Sequence, residues 1–144
     1  MDDVEAIKQL KARYFRTMDT KQWDQMRAVF TDEVVMDTTA SGGGIVTGAD
    51  EFMSFLRDAL GDVITVHHGH TPEIEVTSPT TAVGIWALQD LLIWPSGMRL
   101  EGYGHYHESY AKVDGEWRIA SSTLTRLHMD FSGVDATGVE DPDG

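Results

Sequence analysis

Two periods of apolar residues alternate along the chain. In DDVEAIKQLKARYFRTMD, Val4, Ile7, Leu10, Tyr14 and Met18 recur at helical spacing, and Asp2 or Asp3 can cap the helix they predict. A second, short helix is predicted in KQWDQMRAVF, with Trp23, Met26 and Phe30 on one stripe. EVVMDTTA then reads as a strand, with Val34, Met36 and Thr38 on one face and Val35, Asp37 and Thr39 on the other. SGGG reads as a flexible mouth loop, and GADEFMSFLRDALG as a third helix ended by Gly61 in a left-handed cap. From Thr65 onward the alternation is that of strands. TVHHGH and EIEVTS flank Pro72, which should break or bulge the ladder. TAVGIWALQDLLIW is so apolar that cover on both faces is expected. MRLEGYGHYHESYAKV and EWRIASSTLTRLHM follow, joined through Asp114–Gly115, a strong hairpin signal. Helices first and a meander of long strands after predict an α+β domain over residues 1–131, followed by an acidic, flexible tail over 132–144.

Composition narrows the partners. A net charge of −13 argues against nucleic acid and anionic membranes, which need cationic surfaces. With no cysteine there is no disulfide, thiolate nucleophile or thiolate metal site. No apolar run reaches the roughly 18 residues of a membrane span, and the first residues carry no signal-peptide core. A cytoplasmic protein is expected.

Three groups of side chains can carry chemistry. The tract HHGH places His67, His68 and His70 between two apolar runs, and imidazole is both the near-neutral base and the commonest metal ligand. Asp90 sits on a strand face with Trp86, Leu88 and Leu92, where burial should favour its protonated form, unless it is a buried partner for Arg126. His105 and His107 with His68 and His70 make two His-x-His pairs, but the even positions Gly104, Tyr106, Glu108 and Tyr110 are those expected to face inward, so no metal site is expected. Met36, Thr38, Phe55, Trp86, Leu88 and Tyr106 are candidates to line an apolar pocket, although such spacings also serve ordinary core, and Arg126 is a candidate to bind a substrate carbonyl or carboxylate.

Taken together, RYFRTMDTKQWDQMRAVFTDEVVMD, TVHHGHTPEIEV and YHESYAKVDGEWRIASSTLTR resemble the SnoaL-like branch of the nuclear-transport-factor-2-like superfamily, over nearly all of the chain but its tail. The resemblance implies a cone: a curved mixed sheet around a cavity, with three helices of the N-terminal half packed against it. It also implies, residue by residue, an aspartate at the end of the first helix (Asp19), a tyrosine five residues earlier (Tyr14), a histidine on the strand after the third helix (His67) and an acid on the next strand (Asp90). Five residues are about 140° of an ideal helix, so Tyr14 and Asp19 can serve one site only if the helix ends near Asp19. Whether His67 or His68 faces the cavity stays open at this level. Core packing for Tyr14 and capping of the next helix by Asp19 are the plainer roles.

The expected function is a cofactor-independent lyase or isomerase, dehydratase-like, acting on a small apolar hydroxylated or carbonyl molecule with a His67–Asp19 general base. Ring closure or carbon–carbon cleavage in the same pocket is an alternative, and so is a non-catalytic domain that binds a small ligand. A homo-oligomer, trimer or dimer, is expected from the same resemblance.

Overall fold

The structure is a computed structural model that describes residues 1–133. The tail expected from 132 onward therefore lies almost wholly outside the described residues. Helix α1 (Asp3–Asp19) starts where the Asp2 carboxylate accepts the Glu5 N–H at 2.7 Å, and buries Ile7, Leu10, Tyr14 and Met18 along its apolar stripe. Helix α2 (Trp23–Arg27) is shorter than its sequence pattern predicted, because Phe30 already opens β1 (Phe30–Asp37), opposite Ile119 of the last strand. Pairing with another strand overrode the helical spacing. The predicted first strand also stops earlier: Thr38 has left the ladder, and Thr39 begins a 3-10 turn over Thr39–Ser41. A short edge strand, β2 (Ile45–Thr47), had no sequence prediction.

Helix α3 (Ala49–Leu60) is followed by β3 (Ile64–Ser78), β4 (Thr81–Ile93), β5 (Arg99–Val113) and β6 (Glu116–Ser132). Gly61 does not form the expected left-handed cap. Its φ of −55° and ψ of −38° carry the right-handed turn onward, with its N–H on the Arg57 carbonyl. Asp114 and Gly115 do form the tight turn, both at positive φ (51° and 82°).

The strands form one mixed sheet in the order β2-β1-β6-β5-β4-β3, with β1 parallel to β6 and all other neighbours antiparallel. Register slips around Thr71–Pro72 in β3 and at Tyr103/Gly104 and Ser109/Tyr110 in β5 bend the long strands, as bulges do. The sheet curls over the helices without closing. Its concave face and the helices bury a core around Ile7, Leu10, Met26, Phe30, Val34 and Ile119. The convex face of β4 is less covered than its apolar sequence predicted: burial alternates, and Val83 is 43% exposed. Five helical turns at most fit within α1, and among the described residues no helix is long and apolar enough to cross a membrane.

Candidate functional site

Strand alternation in β3 turns Thr65 and His67 inward and Val66 and His68 outward. His67 is thus the histidine of the tract that reaches the interior, at 8% exposure. Helix α1 ends at Asp19, which frees that side chain from the Tyr14 stripe and lets it meet β3. The His67 backbone N–H donates to Asp19 Oδ2 at 2.8 Å, and its ring Nδ1 lies 2.7 Å from Asp19 Oδ1. The Thr65 hydroxyl donates to the same Oδ1 at 3.0 Å. Both Asp19 oxygens act as acceptors, so the shared hydrogen belongs to Nδ1 and the lone pair to Nε2. Nε2 has no hydrogen-bond partner among the described residues, and His67 lines the main cavity. Phe15 stacks on the ring, centroids 6.3 Å apart at 13°.

Asp90 stands directly opposite His67 in the β3–β4 register, on the same inner face. It does not sit there as an isolated acid. Both of its oxygens accept from the Arg126 guanidinium, at 2.8 and 2.9 Å, the geometry of an ion pair; the two side chains are 5% and 8% exposed. Arg126 Nε also donates to Ser41 Oγ at 2.9 Å, tying the loop after β1 to the site. Gly102 makes the pair possible: a Cβ there would come within 2.2 Å of Arg126 and 2.5 Å of Asp90.

A second buried cluster went unread in the sequence. Lys11 donates to Glu108 at 2.8 Å, and neither side chain has any exposure. The Lys11 ammonium lies 3.9 Å from the Tyr14 ring centre and 3.7 Å from that of Tyr106. Glu108 also accepts from the Tyr110 hydroxyl, which in turn accepts from the Trp86 indole N–H. Burial, with the Glu108 charge adding to it, pushes the Tyr14 and Tyr110 phenols up from their ordinary range. Tyr106 moves the same way, again chiefly through burial. Burial pulls the Lys11 amine down, against the opposing charge of Glu108. The signal was available: Lys11 lies four residues from Ile7 on the buried stripe, and Glu108 falls on the inward positions of β5.

The cavity has a volume of about 430 Å³. Its polar end is made by Tyr14, His67, Asp90, Tyr106 and Arg126, and its apolar wall includes Met18, Phe52, Phe55, Leu56 and Leu92. Of the candidate binding residues, Met36, Thr38, Phe55, Tyr106 and Arg126 lie on the wall. Trp86 and Leu88 do not. Trp86 is engaged with Tyr110 and packs beside Phe15 across Gly69, and Leu88 is in the filled core. Asp19 stands behind His67, not on the main cavity wall. Ser41, Trp94, Leu100 and Phe131 line the cavity without having been read as candidates. His68 and His107 are exposed on the convex face and His105 is half-buried there; among the described residues no group of three or more such side chains is placed to hold a metal ion.

Comparison with known proteins agrees with this architecture. The sequence model of a family described as a SnoaL-like domain matches residues 1–123. A probable cyclase of Gibberella zeae, FGR4, is 25% identical over 140 residues, which cover 89% of this chain and 93% of the relative. A scytalone dehydratase candidate from Novosphingobium aromaticivorans superposes with a TM-score of 0.82 at 22% identity, over 99% of this chain and 93% of that one. A hexachlorocyclohexane dehydrochlorinase of LinA type 2 superposes at 0.79 and 18% identity, over 96% and 93%. At such identities the two solved structures speak for the fold.

Proposed function

The chain belongs to the SnoaL-like domain family, and from that premise we propose that it is a cofactor-independent lyase or isomerase in which His67 is the general base. One observation carries the reading: an imidazole at the wall of a largely apolar cavity whose Nδ1 is held by a carboxylate and whose Nε2 has no partner among the described residues. That is the arrangement a base needs, with a fixed tautomer, a stabilised imidazolium and little competing water. Relatives named as a cyclase, a dehydratase and a dehydrochlorinase fit base-initiated chemistry on carbon.

In a dehydration, His67 Nε2 takes the proton from the carbon next to a substrate carbonyl. The C–H electron pair moves onto the carbonyl oxygen, giving an enolate. Tyr14, kept neutral by burial, donates a hydrogen bond to that oxygen, and the Arg126 guanidinium supplies positive charge to the same end of the cavity. Collapse of the enolate expels the β-hydroxyl, which takes the proton from the imidazolium and leaves as water. Asp19 stabilises the imidazolium in between. Asp90, engaged by Arg126, orients that guanidinium; the acid role expected for it from burial alone passes to the imidazolium. Without a leaving group, returning the proton to another carbon moves the double bond instead.

The test is turnover of a panel of steroid, polyketide and aromatic β-hydroxycarbonyl compounds by wild type and by a folded His67→Ala variant. Loss of a general base should lower kcat/KM by about 10²–10⁴-fold. Equal rates remove His67 from the reaction, and binding of panel members without turnover by wild type turns the reading to a ligand-binding domain.

A further inference from the structure

The turn that ends α1 has a lysine where glycine costs least. Gln22 N–H bonds the Thr17 carbonyl at 2.8 Å and Lys21 N–H bonds that of Met18 at 3.1 Å, the two bonds of a Schellman motif. Its left-handed position, at φ 59°, is occupied by Lys21. A side chain there is strained relative to glycine. The lysine reaches back into the site: Nζ donates to Thr65 Oγ1 at 2.9 Å, and Thr65 donates onward to Asp19 Oδ1 at 3.0 Å.

We propose that Lys21 and Thr65 are positioning residues for the base, forming a one-way chain of donors that fixes the proton on His67 Nδ1 and tempers the pull of Asp19 on the ring. The direction of the chain follows from donor chemistry. An ammonium only donates, so the Thr65 oxygen accepts from it and spends its own hydrogen on Asp19. Asp19 Oδ1 then already accepts one hydrogen and takes its second from His67. A charge-assisted donor at Oδ1 also draws electron density away from the side facing the imidazole, weakening the stabilisation of imidazolium. Lys21 adds a positive charge beyond it.

Other charged and titratable groups line the groove or the cavity that His67 borders. On the helix side they are Lys8 and Arg16, with His68 and His70 along the same groove. On the cavity side they are Asp90, Arg126, Asp37, Tyr14 and Tyr106, while α3 presents apolar side chains to the wall. None of these touches Asp19 Oδ1, so removing the chain isolates its contribution.

The proposal rests on His67 being the base, but its test needs no substrate. Nitrogen NMR of the His67 ring is followed against pH in wild type, Thr65→Val, Thr65→Ser and Lys21→Gly. Valine keeps the shape and removes the hydroxyl; glycine relieves the left-handed residue, so a merely structural Lys21 would leave the ring unaffected and the melting temperature unchanged or raised. The expected result is an Nδ1–H tautomer in wild type and an upward shift of the ring titration by about half a pH unit in Thr65→Val and Lys21→Gly, with Thr65→Ser as wild type. Titrations within about 0.1 unit of wild type in both overturn the chain. Equal turnover by His67→Ala would instead overturn the base assignment, a separate failure.

Discussion

Lys11 and Glu108 are the residues whose loss the molecule should feel most. Both are fully buried, and each is the other's counter-charge. Removing one partner leaves an uncompensated buried charge, which costs about 3–5 kcal/mol, whereas removing both is far milder. Lys11→Met and Glu108→Gln should each fall in that range by urea unfolding, and the double variant should lose less than either; a Lys11→Met loss under about 1 kcal/mol would contradict the pairing. The same pair shows what single residues reveal in advance. His67, Asp19, Tyr14 and Asp90 drew attention because their chemistry is conspicuous beside a family resemblance, and the structure brings Tyr14, His67 and Asp90 to one cavity with Asp19 behind. Lys11 did not, because a lysine on a helix reads as solvated unless its position on the apolar stripe is weighed above its charge. Nor could the partner of Asp90 be decided: that depended on Gly102 leaving room between two strands, a fact of register.

At the scale of elements, legibility followed the length of the periodic run. Helices α1 and α3 and the four long strands each repeat their pattern often enough to stand out, and period-two alternation is what turns His67 inward and His105 and His107 outward. Short runs failed. Trp23, Met26 and Phe30 fit a helical stripe, but the tertiary pairing of Phe30 with β6 ends the helix at Arg27. The three residues of β2 hold too little pattern to be seen. Gly61 shows that a glycine after a helix permits a left-handed cap without requiring one. In β4 an apolar sequence predicts cover on both faces, but cover is supplied by neighbours, and among the described residues only the concave face has them.

For the molecule as a whole, the helices and sheet enclose a polar end of phenols, an imidazole and a guanidinium within an apolar shell. Burial raises Tyr14, Tyr106 and Tyr110 above the ordinary tyrosine value of 10.0. A raised folded value means that below pH 10 both states hold these protons and the contribution to stability is complete. Above it the unfolded chain gives them up first and stability falls. The chain should therefore unfold cooperatively on the alkaline side of pH 10, with phenolate absorbance from these three tyrosines rising together with the loss of circular dichroism; an early rise larger than the exposed Tyr103 alone can supply would contradict their enclosure.

The proposed function turns on a ring nitrogen held and aimed by the carboxylate behind it. The most direct measurement is kcat/KM for Asp19→Asn on any panel compound that wild type turns over, with the cavity intact by circular dichroism. An amide can donate to Nδ1 and so favour the wrong tautomer; the expected loss is at least about 10²-fold. Activity within about twofold of wild type would contradict the account.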